Sequence, residues 1–405
     1  MTKSADYIAR AKDALLGNYP PASIVLSEGR GVRVRDVDGR SYLDLAGGIA
    51  VLSLGHAHPH LAAKISEQAG RLMHVSNLVY NDVTIRFAEE LVRRTSFARV
   101  FFCNSGAEAN EAMLKLARRF HYERGDGERV EIVSTEHSFH GRTYGALTVT
   151  GQPKYHVGMG PMLGGVKTVP YGDLEAMRAV ASDKTAAILV EPLQAEGGLF
   201  VPPKGYLQGL RELADERGAL LLFDEVQTGY GRLGRFLGSE VFGVRPDACS
   251  LAKGIAGGFP LGAMLVSERV KDGLPPGSHA STFGGNPLAC AAGLATLEVF
   301  DKEGIVERVE TLGVYLAERL DGLVAEFPDV LQQRRGLGLL QGVKVASGID
   351  PVGVLGRLIE AGILATIAGG DVIRLSPPLI IEESELDEGI EVLRKIFADP
   401  PRMSA

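Results

Sequence analysis

A single lysine stands in the apolar, glycine-rich run "PDACSLAKGIAGGFPLGAML", residues 246–265. Lys253 is the only charged residue between Asp247 and Glu268. Two readings of it stand at this point: a stem laid over apolar surface with its ammonium in water, or an amine held in a pocket for chemistry. In a pocket, apolar neighbours would disfavour the ammonium, and the other segments have to decide between the two. A second apolar run, "GALLLFDEVQTG", closes on Asp224 and Glu225. A buried carboxylate there needs a cation or hydrogen-bond donors, because removing a buried partner costs about 3 to 5 kcal/mol. It could be the magnesium-binding acid of a nucleotide hydrolase or the partner of a protonated heterocycle. The hydrolase requires GxxxxGK[ST], and the dipeptide Gly-Lys does not occur in this chain.

Other polar clusters also follow apolar runs. "CNSGAEAN" sets Asn104, Ser105 and Gly106 at a strand-to-helix turn, where free N–H groups make an anion site or Ser105 makes a plain cap. "EHSFHGRT" carries Phe139, His140 and Arg142: a flat ring beside a carboxylate-binding fork, or a core phenylalanine with a solvated arginine. Glu191 and Glu196 lie in "EPLQAEGG", and Arg374 in the apolar "DVIRLSPPL". A buried, permanently charged Arg374 implies an anionic partner or ligand, and Glu196 is the candidate partner from the other lobe, with a simple structural salt bridge as the alternative. His56, His58 and His60 of "GHAHPH" lack a nearby carboxylate ligand, so they read as loop residues and no metal site is expected. "GMGPMLGG" and "GLGLLQG" miss the GxGxxG spacing of a nicotinamide site.

These residues must be positioned by the elements between them. Residues 31–45 alternate apolar and polar around Asp38-Gly39, a hairpin signal. From about residue 100, apolar strands such as "RVFFCNSG", "AAILVEPL" and "ACSLAKG" alternate with amphipathic helices; in "AEANEAMLKLARRFHYERG", Ala109, Met113, Leu116 and Phe120 share one face. The pattern predicts an α/β fold, a mostly parallel sheet covered by helices on both sides. Ligands bind such sheets beyond the carboxyl ends of the strands, where the polar clusters fall. The large domain is expected at residues 50–290, with residues 1–49 and 291–405 forming a smaller α/β lobe from both chain ends.

Composition narrows the function classes. The 405 residues are 45% hydrophobic and 23% charged, the balance of an ordinary globular protein. A net charge of -7 without a basic run argues against nucleic acid and anionic membrane as partners. Cys103, Cys249 and Cys290 form no CxxC pair, which argues for a reducing compartment and against a disulfide framework or zinc site. No stretch approaches the ~18 apolar residues of a membrane helix, and the start lacks a signal-peptide core, so a cytoplasmic protein is expected. The 51 glycines cluster in short turns without a period, as many tight strand-to-helix connections require.

Taken together, "LDLAGGIAVLSLGHAHP", "NSGAEANEAMLKLAR", "FHGRTYGALTVTGQPKY", "EPLQAEGG", "LLFDEVQTGYGRLG", "LAKGIAGGFPLGAM" and "STFGGNPLACAA" resemble the class III aminotransferases over residues 25 to 395. That family has the fold-type I architecture and uses pyridoxal 5'-phosphate. "AGGIAV", "GQPKY" and "HASTFGGNPLA" look most like its acetylornithine-type members of arginine biosynthesis.

The resemblance implies roles. Lys253 would hold the cofactor aldehyde covalently and carry the proton, and Asp224 would pair with the pyridine nitrogen. Gln227 would bond the phenolic oxygen, with Val226 beneath the ring and Phe139 stacked above it. The phosphate would lie on the Gly106 and Ala107 amides with Ser105 nearby, and Thr282 would reach it from a second subunit of a homodimer. Arg142, assisted by Ser281 of the neighbouring subunit, would hold the carboxylate of N2-acetylornithine and the distal carboxylate of glutamate or 2-oxoglutarate. Arg374 would take the α-carboxylate of glutamate, and Glu196 would mask Arg374 when the ω-amino substrate is bound. Two residues depart from the pattern: Ala107 stands where the family usually has Thr, and Ala195 where it commonly has Gly. Ile49 replaces the tyrosine usual in ornithine aminotransferases, which weighs against free ornithine. The resemblance leaves succinylornithine, acetylated or carrier-bound lysine, ornithine and 4-aminobutyrate as alternative substrates. A non-catalytic binding relative and a nicotinamide dehydrogenase are the rivals from other classes.

Overall fold

The apolar runs assemble, in a computed structural model that describes residues 2–403, into a seven-stranded sheet. Its order is Arg99–Cys103, Gly262–Val266, Ala248–Leu251, Leu220–Asp224, Thr185–Val190, Glu131–Thr135 and Val166–Val169. Gly262–Val266 runs antiparallel to both neighbours, while the other pairings are parallel, so six strands point the same way. Every residue of Thr185–Val190, Leu220–Asp224, Ala248–Leu251 and Gly262–Val266 is buried, as a sheet covered on both faces demands.

The helix Gly106–Tyr122 buries Ala109, Met113, Leu116 and Phe120, the stripe expected from the sequence. Ser105 caps it, accepting the Glu108 N–H at 3.2 Å. The helix Pro287–Glu303 packs on Pro59–Ala69 and Asp82–Thr95, and a Cβ at Gly293 would lie 2.4 Å from the Phe87 ring, so only glycine permits the approach.

Two smaller sheets flank this unit. The Asp38-Gly39 turn joins Arg33–Asp36 to Ser41–Asp44, with Val34 opposite Tyr42; Leu26–Arg30 and Ile363–Leu364 complete four strands drawn from both ends of the chain. The other sheet is antiparallel, ordered Leu331–Leu337, Leu340–Val345, Val372–Leu375, Thr366–Ala368. One expectation needs correction. His60 is not in a loop, because Pro59 opens a helix, pre-set in φ for the first helical position. Its Nε2 lies 2.5 Å from Glu298, and His56 Nε2 lies 2.8 Å from Asp44. Among the described residues no helix is long and apolar enough to cross a membrane.

Candidate active site

The shared strand direction brings the ends of distant segments to one edge of the sheet. Asp224 closes Leu220–Asp224, Glu191 follows Thr185–Val190, Lys253 follows Ala248–Leu251, and Asn104 follows Arg99–Cys103. Together with the Phe139–Arg142 loop they line a cavity of about 450 Å³.

Lys253 opens a short 3-10 turn, Lys253–Ala256, at φ 50, a left-handed conformation uncommon outside glycine. The buried Ile255 and Ala256 hold the turn in place and the lysine stem in the cavity. Its amine makes no hydrogen bond or ion pair among the described residues. Burial, opposed by the charge of Glu196, brings its pKa down to about 8. A good share of the amine is therefore neutral near pH 8, as a carbonyl nucleophile requires.

Asp224 is buried with four donors on its two oxygens. Oδ2 accepts from His140 Nδ1 and Asn110 Nδ2, both at 2.8 Å. Oδ1 accepts the Val226 N–H at 3.0 Å and the Ser250 hydroxyl at 3.3 Å. Burial pushes this carboxyl up, but the bonds and charge of His140 with the Val226 and Asn110 bonds outweigh it, and the net pKa lies below the ordinary value. Asp224 is thus an ionised carboxylate in the cavity wall, suited to a protonated ring nitrogen. The neighbouring Glu191 is the opposite case: burial and the Asp224 charge raise its pKa far above the carboxylate range. It accepts the N–H groups of Phe139 at 3.1 Å and Ala195 at 3.2 Å, tying the Phe139 loop to the Glu196 loop.

At the other side of the cavity the first-turn N–H groups of Gly106 and Ala107 have no acceptor among the described residues and lie at a helix N-terminus, where an anion is favoured. A Cβ at Gly106 would meet the Val226 methyls at 2.7 and 2.8 Å, and one at Gly141 would meet Ala107 Cβ at 2.7 Å. The cradle is thus as narrow as glycine allows. Phe139 and Val226 both line the cavity.

Arg374 is fully buried, and Glu196 is its ionic partner at 2.5 Å, the pairing anticipated from the sequence. Gln227 bridges them, donating to Glu196 Oε1 at 3.1 Å and accepting from Arg374 Nη1 at 3.2 Å. Burial raises the Glu196 pKa, while the Arg374 and Lys253 charges and the bonds to Arg374 and Gln227 hold it net below its usual value. Gln227 lines the cavity, with Glu196 and Arg374 behind it. Arg142 lies over the Tyr155 ring at 3.7 Å and the Phe139 ring at 5.6 Å, holding its guanidinium at the cavity rim.

Ser281 and Thr282 do not line the cavity of their own chain. The Ser281 hydroxyl accepts from Asn104 Nδ2 at 3.3 Å, and Asn77 fixes the loop by donating to the Ser281 and Gly284 carbonyls. Ile49 sits in a left-handed turn at φ 64, two residues before Val51, which does line the cavity. Sequence reasoning gave no role to Asn110, His140 or Tyr155. Asn110 had a signal, since it lies four residues after Gly106 on the same helix face.

A cavity that joins a lysine of lowered pKa, a carboxylate prepared for a cationic ring and a helix N-terminus defines an enzyme acting through a phosphorylated carbonyl cofactor. The chain belongs to the family described as Aminotransferase class-III, whose profile matches residues 17–397. It is similar to the acetylornithine aminotransferase of Myxococcus xanthus, 47% identical over 94% of each chain. Similarity to that of Caldanaerobacter subterraneus subsp. tengcongensis is 44% over 97% of this chain and 99% of the relative. Among solved structures, an ornithine aminotransferase from Toxoplasma gondii, with PLP at partial occupancy in its active site, superposes with a TM-score of 0.94 at 36% identity, covering 98% of this chain and 95% of that one. The acetylornithine aminotransferase of Elizabethkingia anophelis gives 0.88 at 32% identity, covering 98% of this chain and all (100%) of that one. The protein is a pyridoxal-phosphate-dependent transaminase of fold type I. The residues present fit that cofactor: unpaired amides for its phosphate, an ionised Asp224 for its ring nitrogen, and a free lysine amine for its aldehyde.

Proposed function

We propose that this enzyme moves the δ-amino group of N2-acetylornithine to 2-oxoglutarate, giving N-acetylglutamate 5-semialdehyde and glutamate, as a step of arginine biosynthesis. Near-full-length similarity to acetylornithine aminotransferases at 44–47% identity carries the substrate assignment. Bound pyridoxal phosphate supplies an electron-withdrawing ring that stabilises negative charge on the substrate carbon losing its proton.

The chain's own groups do the rest. Lys253 would hold the cofactor aldehyde and, as a neutral amine, would carry the proton from the substrate carbon to the cofactor's C4′ carbon. Asp224, kept ionised by its four donors, would pair with the ring nitrogen and hold it protonated. Gln227 would bond the phenolic oxygen, and Val226 and Phe139, which line the cavity, would confine the ring. Ser105, Gly106 and Ala107 would receive the phosphate; alanine at 107 keeps the N–H but lacks the hydroxyl of the usual threonine. Arg142 takes the carboxylate of the acetylated donor and the distal carboxylate of glutamate.

With Glu196 on Arg374, the second carboxylate site is closed, which suits an ω-amino donor, whose reacting carbon bears no carboxylate. Opening that pair admits the α-carboxylate of glutamate or 2-oxoglutarate. Ala195, next to Glu196, leaves less backbone freedom for that motion than glycine would.

The working unit is a homodimer with sites shared across the interface. Leu78, Tyr80 and Phe283 are 92%, 94% and 60% exposed on a single chain, an apolar surface that a second copy would cover. His74 packs on Phe283 with ring centroids 5.1 Å apart, so this surface is continuous with the loop bearing Ser281 and Thr282, which would complete the neighbour's site. The test is turnover of N2-acetylornithine with 2-oxoglutarate. Parallel lines in double-reciprocal plots and one glutamate per donor consumed support the reading; no glutamate formed would end it.

A further inference from the structure

Arg374 is held from more than one side, and the contacts differ in whether they can let go. Thr366 stands directly opposite Arg374 across the strand pair Thr366–Ala368 and Val372–Leu375. The Thr366 hydroxyl accepts from Arg374 Nε at 2.9 Å. On the other neighbouring strand Arg374 faces Gly342, where a Cβ would lie 2.3 Å from the Ile373 carbonyl oxygen and 3.1 Å from Arg374 Cα. Both flanks of the arginine are therefore sheet positions with fixed backbone. The Nη1 contacts are of another kind: Glu196 at 2.5 Å and Gln227 at 3.2 Å, both on loops beyond strand ends. The Arg374 side chain is 2% exposed and that of Glu196 is 25% exposed, so Glu196 is the partner with room to leave. Nη2 has no acceptor among the described residues.

We propose that Thr366 is a positioning residue for the acceptor half-reaction, anchoring Arg374 at Nε so that the guanidinium keeps its place and plane when Glu196 departs. The proposal rests on the assignment of Arg374 to the α-carboxylate of glutamate. Arginine carries a long, rotamer-rich stem, and a bidentate carboxylate contact requires its fork in one orientation. While Glu196 is bound, the ion pair supplies that orientation. Once it has gone, a contact at Nε holds the stem and leaves Nη1 and Nη2 for the incoming carboxylate. The amine-donor half-reaction proceeds with the ion pair closed and does not depend on Thr366.

The experiment compares the holoenzyme with Thr366→Val, Thr366→Ser and Arg374→Ala, each half-reaction being followed separately by cofactor absorbance. Inhibition by glutarate, a five-carbon dicarboxylate with neither amine nor ketone, supplies a binding readout apart from turnover. Valine keeps the branched shape and strand preference but leaves Nε without its acceptor. The expected results are a rise of about tenfold in KM for glutamate and 2-oxoglutarate and in Ki for glutarate, the size of one lost charge-assisted hydrogen bond. The kcat/KM for N2-acetylornithine should stay within about twofold, and serine should restore the parent values. Equal damage to both half-reactions, or no rescue by serine, would overturn the proposal as a merely structural effect. If Arg374→Ala injures the glutamate half-reaction and Thr366→Val leaves it intact, Thr366 has no such role. If Arg374→Ala itself spares glutamate, the assignment of Arg374 fails instead, and the anchor falls with it. Should the valine variant fold poorly, Thr366→Ala against Thr366→Ser makes the same comparison.

Discussion

Replacing Lys253 with methionine should stabilise the cofactor-free protein at neutral pH while abolishing turnover. In the folded chain burial lowers the Lys253 pKa from 10.5 to about 8, so below pH 8 the protein carries an ammonium in a site that disfavours it. A shift of that size corresponds to about 3 kcal/mol. The sign follows from proton binding. Between pH 8 and 10.5 the unfolded chain holds more protons on this lysine than the folded one, so its destabilising effect is complete below pH 8 and fades as pH rises towards 10.5. Methionine has a similar length, fills the space and titrates nowhere. Urea denaturation of cofactor-stripped wild type and Lys253→Met, run in parallel from pH 7 to 10.5, should give a stability gap of about 3 kcal/mol at pH 7 that shrinks with pH. The difference between the two proteins removes the titration of every other group. A gap that stays constant with pH, or a wild type more stable at pH 7, would refute the claim that the pocket disfavours the ammonium.

Two further outcomes are expected. His140→Leu removes the strongest donor to Asp224, whose depressed pKa then rises; the carboxylate is lost at higher pH, and the acid limb of kcat/KM should move up, while an unmoved limb would separate His140 from Asp224. Gly106→Ala puts a methyl 2.7 Å from Val226 and should weaken pyridoxal-phosphate binding by about tenfold, with Val226→Ala added to the same chain restoring most of it; additive losses measured by cofactor titration would contradict that contact.

The residues that line the cavity were legible in the sequence where a charged group closes or follows a fully buried strand. Asp224, Glu191 and Lys253 stand out there because hydrophobic burial has no use for them. The Glu196–Arg374 pair could be anticipated because a permanent charge in a buried strand needs an anion. The direction of Gly262–Val266 was not legible, since a strand buried on both faces carries the same apolar pattern whichever way it runs. Nor were the supports of the site. His140 and Asn110 reach Asp224 across 84 and 114 residues, and the opposition of Thr366 to Arg374 depends on strand register. The left-handed conformation of Lys253 likewise follows from packing around it, since nothing in "SLAKGIAGG" demands it.

The central claim is that the enzyme takes its amine from a donor whose α-amino group is blocked: the closed Glu196–Arg374 pair suits any ω-amine, and Ile49 offers a free α-amino group no polar partner. Its most direct measurement is kcat/KM for N2-acetylornithine, ornithine and 4-aminobutyrate, each with saturating 2-oxoglutarate. The account predicts N2-acetylornithine highest by at least about tenfold, the discrimination that one unpaired polar group in a site confers. Free ornithine equal to or better than its acetylated form would contradict it.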